Sequence, residues 1–295
     1  SEAELNSLSM IASSMAVKVD AALRVNPDID AETHEKITTG KSENKFGIDF
    51  IKARKIFLRA SDFPNINLSG IAIHIGSQLT NLEPYRSAYK KVAEFIKLLR
   101  ADGVKILNLD LGGGLGIKYN DEDAPSPYSY GKMVEDVLEG LNCEISFEPG
   151  RIIVGNAGIL VAKVIFMKTS EYKNFCIIDG AMNDLIRPTL YESFHKIVSI
   201  KEPQGGDERI IVDVVGPICE SGDYLARNCQ LPILTSGDLI AVRTVGAYGA
   251  VMSSTYNSRP LIPEVMVKQN QFAVIRKRVT VENMIDYEQI PAWVK

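Results

Sequence analysis

Four short apolar segments, each ending in polar or glycine-rich residues, constrain the fold of this chain more than any other feature. They lie at residues 21–25, 71–75, 106–111 and 145–147. Helical patterns separate them, near the start of the chain and at residues 49–59, 84–99 and 132–141. Buried parallel strands have continuous apolar sequences, and a strand followed by a helix is a βα unit. The sequence therefore predicts four βα units, which form either half of a (β/α)8 barrel or an open sheet.

The positions of the polar residues favour the barrel. His74, the glycine run that begins at Gly112, and Glu148 each come at or directly after the C-terminal end of a predicted strand. Barrel enzymes build their active sites at that end of the strands. We therefore predict that residues 1–151 are the second half of a (β/α)8 barrel.

After residue 151 the pattern changes to one typical of a β domain. Strands are predicted at residues 152–168, 174–179, 208–215, 239–245 and 263–277, joined by glycine, proline and acidic turns, with one helix near residues 281–287. Many short strands with such turns are typical of a barrel or a sandwich. Residues 152–295 are therefore predicted to be a second, C-terminal β domain.

Composition excludes several kinds of partner. The net charge is -4, and the longest basic run is Arg276–Arg278, so the sequence predicts no binding of nucleic acid or of an anionic membrane. No apolar run reaches the length of a membrane span. The four cysteines are unevenly spaced and include no C-x-x-C, which favours a reduced, cytoplasmic protein. The three histidines show no metal-ligand spacing, so we expect no metal.

Two motifs in the first half could bind an anionic ligand. The run from Gly112 to Gly116 could bring backbone N–H groups against a phosphate, or could be only a tight turn. It lacks the Lys-Ser/Thr of a P-loop, which argues against nucleotide hydrolysis. Glu148 and Arg151 follow the next strand and would suit an anionic heterocycle. The simpler alternative for them is a turn with a surface ion pair.

His74 and Cys219 each allow two interpretations. His74 stands in an apolar strand, where a packed core histidine is the simple interpretation, but Gly76 and Ser77 beside it would suit a phosphate. A lone cysteine is usually a small buried hydrophobe. Cys219, however, precedes Glu220 on a glycine turn, where a proton donor in a polar site is the better hypothesis.

An ordered series of motifs connects these residues to one known family. The motifs are RVNP at 24–27, TG at 39–40, KFG at 45–47, HIGSQ at 74–78, LDLGGGLG at 109–116, EPGR at 148–151, RPTLY at 187–191, CESGD at 219–223 and GAYG at 246–249. In order and spacing they resemble the diaminopimelate decarboxylase family. The resemblance implies a (β/α)8 barrel that binds pyridoxal 5'-phosphate (PLP), followed by a β-sandwich or barrel domain. It also implies a homodimer with shared active sites.

The same resemblance implies a role for individual residues. The implied PLP contacts are His74 stacked on the ring, Glu148 at the pyridine nitrogen, and a phosphate-binding set of Ser77, Gly113, Gly114, Arg151 and Tyr248. The implied substrate contacts are Arg151, Arg187, Tyr191, Glu220 and Tyr248. Cys219 matches the acid that returns a proton to the product, contributed by the neighbouring subunit. Cys219 and His74 are therefore the implied catalytic residues.

The implied reaction is the decarboxylation of meso-2,6-diaminopimelate to L-lysine and CO2, the final step of lysine biosynthesis. This substrate carries an amine and a carboxylate at each end. Arg187 offers a fork for the distal carboxylate, and Glu220 offers a charge for the distal ammonium. The alternatives are a relative that acts on ornithine, arginine or carboxynorspermidine, and a non-catalytic PLP-binding relative. The presence together of Cys219, Glu148 and Arg187 favours the enzyme.

The lysine to which this family bonds PLP has no match in the sequence. Residues 16–20, AVKVD, offer a superficial match at Lys18. The family places that lysine far ahead of the RVNP strand, whereas Lys18 is only a few residues before Arg24. We expect Lys18 to be an exposed charge, and the bonded lysine and the other half of the barrel to lie outside this sequence. The chain alone is then expected to be inactive.

Overall fold

The computed structural model describes residues 1–30, 45–202 and 208–294, which fall into two compact units, Ser1–Ile153 and Val154–Lys295. The Thr39-Gly40 motif lies outside the described residues. Within the part of the chain that the structure describes, no helix combines the length and the apolar character needed to cross a membrane.

The described residues of unit 1 form four parallel strands with helices between them. Its elements are α1 (Glu2–Ser14), β1 (Val19–Arg24), α2 (Phe50–Leu58), β2 (Ile66–Ala72), α3 (Glu83–Ala101), β3 (Asn108–Asp110), α4 (Pro127–Leu138), β4 (Glu144–Ser146) and the short α5 (Arg151–Val154). The strands pair in the order β1-β2-β3-β4, and every pair is parallel. The four predicted βα units are therefore confirmed.

Local sequence explains where the helices of unit 1 begin and which face they bury. Asp49 caps α2 by accepting a hydrogen bond from the Lys52 N–H, and Ser126 caps α4 in the same way ahead of Pro127. The apolar face of α3 is buried at Tyr85, Ala88, Tyr89, Val92, Ala93, Phe95, Ile96 and Leu99. It packs in one core with the strand residues of the sheet. Full burial of one such aliphatic side chain contributes about 1.5–3 kcal/mol, so this face fixes α3 to the sheet.

Unit 2 is mainly β structure. Its elements are β5 (Ile159–Thr169), β6 (Asn174–Ile178), α6 (Arg187–Tyr191), β7 (Ile197–Ser199), β8 (Arg209–Val215), β9 (Tyr224–Pro232), β10 (Leu239–Arg243), β11 (Glu264–Lys268), β12 (Gln271–Arg276) and α7 (Val281–Ile285). Six strands form one sheet in the order β7-β10-β5-β6-β8-β9, in which only the β6–β8 pair is parallel. The end strands β7 and β9 approach each other, so the sheet curls almost into a barrel.

The structure corrects the predicted secondary structure of the β domain at several points. The strand predicted from residue 152 begins only at Ile159, because residues 151–157 form short helical turns. The segment Arg187–Tyr191 is a helical turn with Pro188 in its first turn, where the fixed φ of proline is favourable. Strands β7 and β9 were not predicted, and the segment 263–277 is a hairpin of two strands rather than one.

Candidate active site

In unit 1, three loops meet beyond the C-terminal ends of β2, β3 and β4. We refer to these three loops and their side chains as the cluster of unit 1. The glycine run of the middle loop explains how closely the loops pack. A Cβ on Gly113 would collide with the carbonyl oxygen of Glu148, and one on Gly114 would collide with the carbonyl oxygen of Gly76. Gly112 and Gly114 also have positive φ values of 68° and 95°. The glycines therefore allow the backbone of the middle loop to pass between the other two loops.

His74 presents a neutral ring in a fixed orientation to this cluster. The backbone N–H of Gly113 donates a hydrogen bond to its Nδ1, 3.1 Å away. Because Nδ1 accepts, the proton of the neutral ring is on Nε2. Burial lowers the pKa of His74, the charge of Arg24 lowers it further, and Asp110 opposes both effects. A flat, neutral ring with a fixed orientation is suited to stacking on an aromatic cofactor.

Arg151 is buried, with 6% of its surface exposed, and hydroxyl groups orient it. Its Nη1 donates to the Tyr119 hydroxyl at 2.5 Å, and its Nη2 donates to Ser77 Oγ at 3.1 Å. Both contacts connect Arg151 to other loops of the cluster, and Ser77 is itself half-buried. A guanidinium beside a hydroxyl and glycine N–H groups suits a phosphate ester. Tyr119 was missed by the sequence prediction, because it lies in a loop with no recognisable pattern.

Glu148 completes the cluster from the loop after β4. Its backbone N–H donates to the Gly112 carbonyl at 2.8 Å, and its side chain is exposed. Arg24, at the end of β1, lies close enough to the Glu148 carboxylate for the two charges to interact. Burial lowers the pKa of Arg24, and the charge of Glu148 opposes that effect. Arg24 entered the sequence prediction only as part of a motif, without a role.

In unit 2, α6 packs against the turn that contains Cys219. Thr189 Oγ1 donates to the Gly222 carbonyl at 2.5 Å, and the Tyr224 hydroxyl donates to the Pro188 carbonyl at 3.2 Å. The buried carboxylate of Asp223 holds the turn from inside, because it accepts from the backbone N–H groups of Met182 and Ile218, both at 2.7 Å. The RPTLY and CESGD motifs are therefore neighbours in the fold. Asp223, the last residue of CESGD, stabilises the backbone of the turn.

Helix α6 and the Cys219 turn form a second cluster, in unit 2, and Arg187 is its buried cation. The residue is 5% exposed, with Nη1 2.8 Å from His195 Nε2 and Nη2 donating to Ser193 Oγ at 3.2 Å. Tyr191 ends α6 and is half-buried. The sequence prediction identified Arg187 and Tyr191 but missed His195.

Cys219 and Glu220 are exposed at the surface of unit 2. This exposure excludes the interpretation of Cys219 as a buried, inert thiol. A carboxylate oxygen of Glu220 accepts a hydrogen bond from the Tyr256 hydroxyl at 2.5 Å, and this bond raises the pKa of Tyr256. Tyr248 lies in the glycine-flanked turn after β10 with an unusual φ of 56° and is 43% exposed. Tyr256 was not predicted from the sequence.

Lys18 lies far from the cluster in unit 1. It is exposed and precedes β1, so it stands at the N-terminal edge of the parallel sheet. The loops that carry His74 and Glu148 are at the opposite edge. A six-residue strand such as β1 spans roughly 20 Å, which places Lys18 out of reach. Among the described residues, no group of three or more His, Cys, Asp or Glu side chains is arranged to hold a metal ion.

Comparison with known proteins decides which family has this arrangement. Residues 1–155 match the family described as pyridoxal-dependent decarboxylase, pyridoxal binding domain. The diaminopimelate decarboxylase of Zymomonas mobilis is 45% identical over 296 residues, covering 100% of this chain and 70% of the relative. That of Vibrio cholerae is 47% identical, covering 98% of this chain and 69% of the relative. This chain belongs to the diaminopimelate decarboxylase family.

A solved structure agrees with the family assignment. The diaminopimelate decarboxylase of Helicobacter pylori complexed with L-lysine is 41% identical, with a TM-score of 0.92 over 97% of this chain and 71% of that one. The predicted fold class is thereby confirmed, as are the family, its carboxy-lyase chemistry and its cofactor PLP. The cluster in unit 1 fits PLP, because it offers a flat neutral ring, an acidic side chain and an oriented guanidinium with a hydroxyl beside it.

Proposed function

We propose that the holoenzyme containing this chain converts meso-2,6-diaminopimelate to L-lysine and CO2 in the cytoplasm, as the final step of lysine biosynthesis. One observation supports diaminopimelate as the substrate. In a member of this family, a buried guanidinium, Arg187, stands on a helix packed against the turn that carries the exposed carboxylate of Glu220. These groups match the carboxylate and the ammonium at the end of the substrate that does not react.

The residues of unit 1 hold the cofactor in this proposal. Ser77, Gly113, Gly114 and Arg151 bind the phosphate, His74 stacks on the ring, and Glu148 pairs with the pyridine nitrogen. When bound, PLP supplies an electron sink for the bond electrons that the departing carboxylate leaves behind. Support comes from the hydrogen bond that fixes the His74 ring and from the contact between Arg151 and Ser77. Tyr248 is assigned to the phosphate and the substrate from the family pattern.

Cys219 is the proposed proton donor to the carbon that loses its carboxylate. Its exposure on the turn of unit 2 supports the hypothesis, since a donor must reach a ligand. In the proposed homodimer this thiol comes from the neighbouring subunit, so that the Cys219 turn of one subunit completes the site in unit 1 of the other. The exposed positions of Cys219 and Glu220 are compatible with a shared site.

Specificity follows from the charges at the distal end. Arg187 can present two parallel N–H groups to a carboxylate, and Glu220 can accept from an ammonium. Tyr191 and Arg151 are the further substrate contacts in this proposal. Ornithine has no distal carboxylate, so it would leave the site of Arg187 unfilled. A site built to bind a polar group discriminates strongly against ligands that lack that group.

The test is a comparison of substrates with the PLP-loaded enzyme. CO2 release should be far faster from meso-2,6-diaminopimelate than from ornithine or arginine, and L-lysine should appear in equal amount. An equal or higher kcat/KM for ornithine or arginine would contradict the proposed function and would favour the related decarboxylases considered above.

A further inference from the structure

Arg187 shares its buried position with His195, a histidine outside the proposed catalytic and binding residues. His195 is 2% exposed, and its two ring nitrogens contact groups with opposite hydrogen-bonding character. Nε2 lies 2.8 Å from Arg187 Nη1, and Nδ1 lies 3.0 Å from the backbone carbonyl of Arg243. These two contacts determine the protonation state of the ring.

A carbonyl oxygen can only accept a hydrogen bond, and a guanidinium can only donate one. Nδ1 must therefore carry the proton that is donated to the Arg243 carbonyl. Nε2 must carry the lone pair that accepts from Arg187. Only the neutral Nδ1–H form of the ring satisfies both contacts, since the other tautomer or the cation would place an N–H group against an N–H group of Arg187.

The ring is also attached to a rigid part of unit 2. The Arg243 N–H donates to the Lys196 carbonyl at 2.8 Å, which joins the segment after His195 to the end of β10. Arg187, in contrast, is the first residue of a helix of only five residues. A long side chain on so short a helix needs an external support to keep one rotamer, and His195 provides it from the core sheet.

We propose that His195 is the positioning residue of Arg187, holding the guanidinium in the orientation that receives the distal carboxylate of the substrate. The guanidinium also donates to Ser193 Oγ. Ser193 and the neutral His195 ring are both uncharged acceptors that direct the two terminal nitrogens of Arg187. Orientation of this kind matters because bidentate recognition tolerates displacements of only about 0.5 Å. The inference rests on the proposed function, in which Arg187 binds that carboxylate.

Two ligands that differ only in the distal carboxylate isolate the effect of His195 on carboxylate binding by Arg187. The product L-lysine keeps the distal carboxylate, and 1,5-diaminopentane is the same molecule without it. Their dissociation constants are measured for the wild-type, His195→Phe and His195→Gln holoenzymes. His195→Phe keeps a ring but removes both nitrogens, whereas His195→Gln restores a hydrogen-bond acceptor. His195→Phe should weaken L-lysine binding about 10-fold, the scale of a disturbed hydrogen bond to a charged group. Binding of 1,5-diaminopentane should be unchanged, and His195→Gln should recover most of the loss.

A parallel weakening of both ligands, or no weakening of either, would overturn the inference. If His195→Phe does not fold, nitrogen-15 NMR of the wild-type protein decides instead. His195 should show the Nδ1–H tautomer, whereas His74, whose Nδ1 accepts from Gly113, should show the Nε2–H tautomer and serves as an internal control. A cationic or Nε2–H His195 would contradict the assignment.

The two proposals fail in distinguishable ways. If diaminopimelate is not a substrate, the proposed function fails, and the tautomer of His195 still reports whether it orients Arg187. If diaminopimelate is decarboxylated but the two ligands respond equally to His195→Phe, only the positioning role is lost.

Discussion

Each unit of this chain contains a buried arginine, and the two are oriented in different ways. Arg151 contacts hydroxyl groups on the loops that follow parallel strands, Ser77 and Tyr119. Arg187 contacts His195 and Ser193, which lie a few residues along the chain from it. Unit 1 therefore orients its buried arginine with side chains on strand ends brought together by the sheet, whereas unit 2 orients its arginine with residues that follow a short helix.

The comparison also separates two kinds of backbone constraint. In unit 1 the middle loop can pass between its neighbours only because glycines leave room for two carbonyl groups. In unit 2 the corresponding constraint is a buried carboxylate, Asp223, which binds two backbone N–H groups. One site depends on the absence of side chains and the other on a satisfied buried charge, so substitutions should affect them differently.

The largest effect is expected for Gly113→Ala. Its new Cβ would collide with the Glu148 carbonyl, so the loops of unit 1 would separate and PLP would no longer be retained. Gly131→Ala is the matched control, because a Cβ there meets no atom within 4 Å. Gly131 lies inside α4, so this control should be neutral or stabilising by about 0.5–1 kcal/mol. PLP absorbance after gel filtration and thermal melting measure both effects, and unchanged PLP retention in Gly113→Ala would contradict the loop geometry.

Cys219→Ala should have the next largest effect. Removal of a positioned acid lowers kcat by ~100-fold or more, while PLP binding, in which Cys219 has no proposed role, should stay the same. Steady-state kinetics with diaminopimelate and PLP titration check the two parts. Turnover equal to that of the wild type would remove Cys219 from the role of proton donor.

The proposed shared sites can be tested by mixing two variants, one altered in unit 1 and the other altered in unit 2. Glu148→Ala and Cys219→Ala enzymes should each be impaired, but their hybrid dimer would contain one intact site if sites are shared. Random exchange of subunits should then restore about a quarter of wild-type activity, because half of the dimers are hybrids with one intact site of two. If verified exchange restores nothing, each site lies within a single chain.

Sequence reasoning predicted the parts of the molecule that depend on local patterns. The apolar runs and their polar ends revealed all four strands of unit 1, whereas β7 has only three residues and β9 is an edge strand interrupted by polar residues such as Arg227 and Asn228. The motifs supplied Arg151 and Glu220. Their partners could not be predicted, because Tyr119 and Tyr256 lie 32 and 36 residues away and come close only through the fold.

A smaller effect is expected for Tyr256→Phe. The substitution removes the hydroxyl that donates to Glu220 but leaves the carboxylate exposed to water, so the fold should be unaffected. Loss of one hydrogen bond of this kind should raise KM for diaminopimelate about 5-fold with little change in kcat. Tyr172→Phe, at a position 91% exposed, is a suitable control. A fall in kcat without a change in KM would show that Tyr256 does not act through substrate binding.

The most direct test of the proposed substrate is Arg187→Lys, assayed with diaminopimelate and with ornithine. Lysine keeps the positive charge but lacks the two-pronged geometry of the guanidinium. If Arg187 binds the distal carboxylate, kcat/KM for diaminopimelate should fall on the order of 100-fold, and the slow turnover of ornithine should not fall with it. An equal loss for both substrates would show that Arg187 supports the structure of unit 2 and does not select the substrate.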